Sequence, residues 1–101
     1  MPIYHIVLFK LKEGAASEDK LKELATQAKG LIGTVPGLIS LEANKPLAST
    51  AAAAQGYNAG LVAVLENEEA LAGYTEKANN PTATKWREEL VTESLVYDLV
   101  A

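Results

Sequence analysis

Residues 3–10, Ile-Tyr-His-Ile-Val-Leu-Phe-Lys, are the stretch of this sequence that decides the fold. They are dense in β-branched and aromatic residues and are bounded by Pro2 and by Glu13-Gly14, which is typical of a β-strand. Apolar side chains occupy both alternating sets, with Ile3, Val7 and Phe9 on one side and Tyr4, Ile6 and Leu8 on the other. Because successive side chains of a strand point to opposite faces, we expect both faces of this strand to be covered.

A helix is predicted after this strand. Ser17 is a suitable N-cap, and Glu18 and Asp19 in the first turn suit the positive end of the helix dipole. An apolar stripe then recurs at steps of three and four residues: Leu21, Leu24, Ala25, Ala28, Leu31 and Ile32. Gly33 and the Val-Pro-Gly turn at residues 35–37 are predicted to end the helix.

Two further strands are predicted in the middle of the chain. Residues 38–45 alternate between the two faces, and residues 57–65 form a third strand in which Gly60 indicates a bulge or a close backbone approach. Between them, residues 46–56 contain four consecutive alanines without an apolar stripe. We therefore expect a mobile or partly helical loop there.

The last third of the chain predicts two helices and a strand. Residues 66–77 favour a short helix with an acidic first turn. Asn80 and Pro81 indicate an N-cap and the first position of a last helix. One face of that helix carries Trp86, Leu90 and Val91, and residues 93–100 read as the fourth strand.

The order of elements is β-α-β-β-α(α)-β over a single domain, residues 1–101. It predicts the ferredoxin-like split βαβ fold of the α+β class, a four-stranded antiparallel sheet with helices on one face. The first and last strands are apolar on both sides, so the face without helices also needs a cover. We expect a second copy of the chain to supply it, in a homodimer.

Composition excludes several classes of function. Nine Lys and Arg against thirteen Asp and Glu leave a net charge of −4, so the cationic surface of a nucleic-acid or anionic-membrane binder is missing. The chain has no cysteine and one histidine, and we expect no metal site and no cofactor. The uncharged residues 46–65 are too polar for a membrane span, and the N-terminus lacks signal-peptide features. We expect a cytoplasmic protein.

The sequence resembles the stress-responsive A/B barrel (Dabb) family of dimeric α+β barrels. The stretches that carry this resemblance are His5-Ile-Val-Leu-Phe-Lys10, Val35-Pro-Gly-Leu38, Gly56-Tyr57-Asn-Ala, the spacing from Tyr57 to Tyr74, and Leu-Val-Tyr97-Asp98. That family includes plant stress proteins and a plant polyketide cyclase that works by aldol condensation. The resemblance implies a pocket between sheet and helices, with His5 and Tyr74 as candidate catalytic residues. It also implies an apolar lining for a substrate: Val7, Phe9, Leu24 and Trp86.

The sequence departs from the cyclase at three positions of that pocket. Ala83 stands where the cyclase has its catalytic histidine, Ala59 where it has another histidine, and Ala28 where it has a tyrosine. A general acid–base pair needs two titratable groups, so that mechanism does not transfer. We expect the cavity to be more apolar or collapsed.

Three classes of function remain open. The first is a homodimer that binds a hydrophobic or aromatic small molecule, associated with stress or secondary metabolism. The second is a cofactor-independent enzyme, a polyketide cyclase-like lyase or a monooxygenase, that uses His5 and Tyr74. The third is a purely structural stress protein, in which His5 is a paired core histidine and Tyr74 and Trp86 are packing residues. Convergence of His5 and Tyr74 on an open cavity would favour the first two.

Overall fold

The stretch at residues 3–10 forms the core of a central strand in a four-stranded antiparallel sheet. A computed structural model describes residues 1–14 and 18–101, without the side chain of Glu18. The strands are β1 (Ile3–Leu11), β2 (Leu38–Asn44), β3 (Ala59–Leu65) and β4 (Val91–Val100). The sheet order is β2-β3-β1-β4, which is the ferredoxin-like arrangement that the sequence predicted.

The helices lie on one face of this sheet. They are α1 (Glu18–Lys29), α2 (Glu68–Ala78) and α3 (Pro81–Leu90), and a 3-10 helix spans Ala48–Ala54. No helix among residues 1–14 and 18–101 is long and apolar enough to cross a membrane. The Ser17 N-cap predicted for α1 lies outside the described residues.

The twofold alternation of β1 separates two environments. The odd-numbered side chains face the helices, where Ile3, Val7 and Phe9 are buried. Across the sheet, Val7 pairs with Leu61 of β3 and Phe9 pairs with Ala59, so the same face continues on the neighbouring strand. The core that forms there also takes its side chains from the helices: Leu21, Leu24, Ala28, Tyr74 and Trp86.

The even-numbered side chains of β1 face away from the helices, and most of their neighbours are apolar. Three cross-strand pairs with β4 form a continuous surface: Tyr4 with Leu99, Ile6 with Tyr97, and Leu8 with Leu95. On the other side of β1, Val62 and Val64 extend it. We call these eight residues the open sheet face. Tyr97 on this face is 60% exposed in the single chain.

Several predicted boundaries were wrong: α2 begins at Glu68, after its N-cap Asn67, and three other boundaries differ for local reasons. α1 ends at Lys29, because Leu31 and Ile32 enter tight turns whose amides bond to Ala28 and Lys29 at i−3. Ile32 is consequently exposed and does not belong to the apolar stripe. β3 begins at Ala59, because Asn58 uses its side-chain Oδ1 to accept from the amide of Leu11.

The last boundary concerns α3 and β4, which join without a loop. Val91 is the first residue of β4, although its amide still donates to the carbonyl of Arg87 and so caps the helix. At the other end of α3, Asn80 accepts from the amide of Ala83, and Pro81 occupies the first helical turn as predicted. The segment 46–56 is partly helical, through the 3-10 helix.

Gly37 fixes the turn between α1 and β2 against α2. Its φ is +84°, and a Cβ atom at this position would lie 2.5 Å from Cβ of Ala70. Its carbonyl accepts from the amide of Glu66, which leads into α2. Gly33 has a similar φ of +86°, but no atom lies within 4 Å of the space its Cβ would fill.

We expect Gly37→Ala to lower the free energy of unfolding by about 2–4 kcal/mol, from left-handed backbone strain plus overpacking. Gly33→Ala is the matched control, because it carries the strain without the clash and is expected to cost about 1–2 kcal/mol. Urea unfolding followed by Trp86 fluorescence measures both. Equal losses in the two variants would show that the contact with Ala70 contributes nothing.

Candidate functional site

A cleft opens between the helices and the end of the sheet that they leave uncovered. It encloses about 390 Å³ and is bordered by β1, β3, β4, α2 and α3. The cleft exists because β4 is an edge strand that is exposed along nearly its whole length, even on the face that carries the helices. Apolar and polar groups both line it: Val7, Phe9, Leu61, Leu71 and Val96 with His5, Tyr74, Arg87 and Asp98.

His5 is held in this cleft by a carboxylate on the neighbouring strand. His5 and Asp98 are direct cross-strand partners on the face that carries the helices. His5 Nδ1 lies 2.5 Å from Asp98 Oδ1. A carboxylate only accepts hydrogen bonds, so Nδ1 carries a proton, and in the neutral tautomer with that proton Nε2 is an acceptor. Within the described residues, no group bonds to Nε2.

Tyr74 packs against His5 from α2. The two ring centroids are 5.4 Å apart at an interplanar angle of 66°, an edge-to-face contact. Burial raises the pKa of the Tyr74 hydroxyl, and the nearby charge of Arg87 partly opposes that shift. The hydroxyl therefore stays protonated at neutral pH and is available to donate a hydrogen bond.

A second, smaller cavity, which we call the inner cavity, is bordered by α1 and α3. It encloses about 70 Å³, room for a few waters at most. Its walls include Leu24, Trp86, Ala28 and Ala83. Phe9, Leu61, Tyr74, Ala78 and Arg87 line both this inner cavity and the cleft, so they form the partition between them.

The six residues predicted for the site thus divide between two spaces. His5 and Val7 border the cleft, Leu24 and Trp86 border the inner cavity, and Phe9 and Tyr74 border both. Trp86 packs edge-on against Phe9, with ring centroids 6.0 Å apart. Its indole Nε1 is buried without a hydrogen-bond partner in the described part of the chain.

Sequence reasoning missed the two charged residues that line the cleft within the described residues, Asp98 and Arg87. Asp98 is a lone acid in the apolar run of β4, which was an available signal, because strand parity and pairing with β1 place it opposite His5. Arg87 gave no such signal, because it precedes Glu88 and Glu89, and a run of charged residues like this is typical of a solvent-exposed helix face. Among residues 1–14 and 18–101, no three His, Asp or Glu side chains group as metal ligands.

Fold and cleft together define a class: ferredoxin-like α+β proteins with a pocket between the sheet and the helices. Residues 3–101 match the family model of the stress responsive A/B barrel domain. The chain belongs to this family, Dabb. No curated protein matches it significantly.

Solved structures share the fold at low identity. A dimeric ferredoxin-like protein of unknown function from Thermobifida fusca is 21% identical, with a TM-score of 0.78 over 100% of this chain and 92% of that chain. A Dabb family protein from Mesorhizobium loti is 21% identical, with a TM-score of 0.63 over 99% and 96%. Hydroxynitrile lyase from Passiflora edulis is 14% identical, with a TM-score of 0.69 over 99% and 93%.

The raised pKa of Tyr74 predicts a loss of stability at high pH. Above about pH 10 the tyrosine ionises more readily in the unfolded chain than in the fold, so the unfolded state binds fewer protons. The contribution of Tyr74 to the free energy of unfolding is therefore fully present below about pH 10. It is lost as the pH rises through the higher pKa of the folded state.

We expect the free energy of unfolding to fall less steeply above pH 10 in Tyr74→Phe than in the wild type. Urea unfolding at pH 8 to 11 measures the slopes. Identical slopes in wild type and Tyr74→Phe would contradict the assigned burial of the hydroxyl.

Proposed function

We propose that this protein binds a hydrophobic or aromatic small molecule in the cleft between sheet and helices. The observation that carries the proposal is the convergence of His5 and Tyr74 on an open space of about 390 Å³. That volume lies within the range of small-molecule sites, which are mostly apolar with a few well-placed polar groups. A purely structural protein would need only a filled interior at this position.

The polar groups suit a ligand that both donates and accepts hydrogen bonds. The Tyr74 hydroxyl donates to a carbonyl or phenolic oxygen, and His5 Nε2 accepts from a phenolic hydroxyl. Val7 and Phe9 offer apolar contact beside them. Two functions suit such a ligand, a role in the stress response that names the family or a step in secondary metabolism.

We further propose that the protein is a homodimer that pairs through the open sheet face. The apolar side chains there form a contiguous surface over three strands. Exposed apolar patches of this kind mark protein interfaces, and closed pairs with twofold symmetry are the commonest assembly. The similar protein from Thermobifida fusca is dimeric, which supports the dimer.

Proton-transfer catalysis is the second candidate function, and the contact between His5 and Asp98 favours it. A carboxylate that fixes the tautomer of a histidine and stabilises its protonated form is the arrangement that general bases use. With Ala83 in place of a second base, His5 would have to act alone beside the Tyr74 hydroxyl. Hydroxynitrile lyase from Passiflora edulis, an enzyme by name, has the same fold.

We expect 1-naphthol to bind the dimer and to raise its melting temperature, because a ligand of the native state stabilises it by mass action. His5→Ala and Tyr74→Phe should each weaken binding about fivefold, the value of one hydrogen bond. Titration calorimetry gives the affinities, and Tyr57→Phe serves as the control that should bind like the wild type.

Two results would change this conclusion. Binding that is indifferent to both His5→Ala and Tyr74→Phe would place the ligand elsewhere and favour a structural role. Cyclisation of a linear polyketide by the wild type, abolished in His5→Ala, would replace the binding protein with an enzyme.

We expect Tyr97→Lys to raise the dissociation constant of the dimer at least tenfold, because an unpaired charge buried in an interface costs several kcal/mol. Ile32→Lys is the control, since Ile32 is also exposed but follows α1, away from the sheet. Sedimentation velocity across micromolar concentrations measures both. A wild type that sediments as a folded monomer would overturn the dimer.

A further inference from the structure

Arg87 is a cation on the wall of the cleft, and no acid among the described residues pairs with it. Its side chain lies on α3 and lines both the cleft and the inner cavity. Nη2 donates to Asn79 Oδ1 at 2.9 Å and makes a longer contact of 3.4 Å to Thr84 Oγ1. Both acceptors are neutral, so they orient the guanidinium without cancelling its charge.

The acidic side chains near the cleft bind partners other than Arg87. The ion pairs among residues 1–14 and 18–101 are Lys10–Glu93, Lys20–Glu23 and Lys85–Glu89. Arg87 belongs to none of them, although the chain carries four more acidic than basic residues. Asp98, the only acid among the described side chains that lines the cleft, is hydrogen-bonded to His5.

A guanidinium has five N–H donors in a planar fork that matches a carboxylate. Nη2 supplies the two donors that contact Asn79 and Thr84, which leaves those on Nε and Nη1 without a partner in the described residues. The charge of Arg87 also acts on Tyr74 in the aromatic part of the site: it lowers the pKa of the Tyr74 hydroxyl, whereas burial raises it.

We propose that Arg87 recognises the acidic group of the ligand, and that the ligand is an aromatic carboxylic acid. Its carboxylate pairs with the guanidinium, and its ring packs against Phe9 and Tyr74, which border the same space. This inference rests on the proposed ligand-binding function and narrows it to one chemical class. It implies that the cleft binds an anion more tightly than a neutral molecule of the same shape.

The probes that test it are 1-naphthoate and 1-naphthamide, which differ in charge and hardly in shape. We expect the wild-type dimer to bind the naphthoate at least about tenfold more tightly, since hydrogen bonds between charged partners are the strong ones. In Arg87→Gln that preference should fall below about threefold, with the affinity for naphthamide within about twofold of wild type. Raising the salt concentration should weaken the naphthoate alone.

Three variants separate recognition from a structural role at the corner between α2 and α3. Asn79→Ala removes the shorter hydrogen bond of Arg87 but keeps the charge of the guanidinium, and should retain most of the preference for the acid. Arg87→Lys keeps the charge without the fork, and should give an intermediate preference. Lys85→Gln on the same helix removes a charge that is paired with Glu89 outside the cleft, and should change nothing.

The results distinguish this inference from the function on which it rests. If both probes bind and the preference is the same in wild type and Arg87→Gln, the anion site is wrong and the binding function stands. If neither probe binds the wild type, while 1-naphthol does, the acidic ligand is again wrong. Failure of all three compounds to bind overturns both conclusions.

Discussion

The rest of this structure depends on the twofold alternation of side chains along β1. β1 is hydrogen-bonded on both edges, to β3 and to β4, so its register sets the register of the sheet on either side. A shift by one residue would turn Val7 and Phe9 to the open sheet face and would bury Lys10 among the helices. The same alternation brings His5 to the helix side and Tyr4 to the other. One strand thereby assigns one face to the core and the cleft, and leaves the other as the apolar open sheet face.

The cleft follows from the incomplete cover that the helices give to this sheet. They bury the side chains of β1, β2 and β3, whereas β4 is exposed along nearly its whole length. An edge strand with an uncovered inner face leaves a space that a ligand can fill. It also leaves room for Asp98, a charged residue that would be costly in a closed core but here pairs with His5 at the border of that core.

Positions 28, 59 and 83 are alanines, and two neighbouring aromatic rings keep the inner cavity small. Ala59 is buried in β3 opposite Phe9, and Ala28 and Ala83 border the inner cavity. Only about 70 Å³ remains there, because Trp86 and Phe9 pack edge-on beside it. Gln27, Asn80 and Arg87 add polar groups to its walls. The polar groups of the cleft come from strand pairing, from α2 and from α3.

The sequence by itself determined the order of the elements, the ferredoxin-like topology, the family and the apolar open face. The element order, the topology and the open face rest on periodicity and on local turn and capping signals such as Asn80-Pro81, which act within a few residues. The family rests on the resemblance carried by stretches such as residues 5–10. The sequence also indicated His5 and Tyr74 as candidates. Only the tertiary structure decided that Asp98 bonds to His5, that Arg87 has no acidic partner among the described residues, and that Leu24 and Trp86 line a separate cavity. Those facts depend on contacts between distant parts of the chain, 93 residues apart for His5 and Asp98. Local sequence patterns do not fix such contacts, because strand pairing and the packing of the helices on the sheet select them.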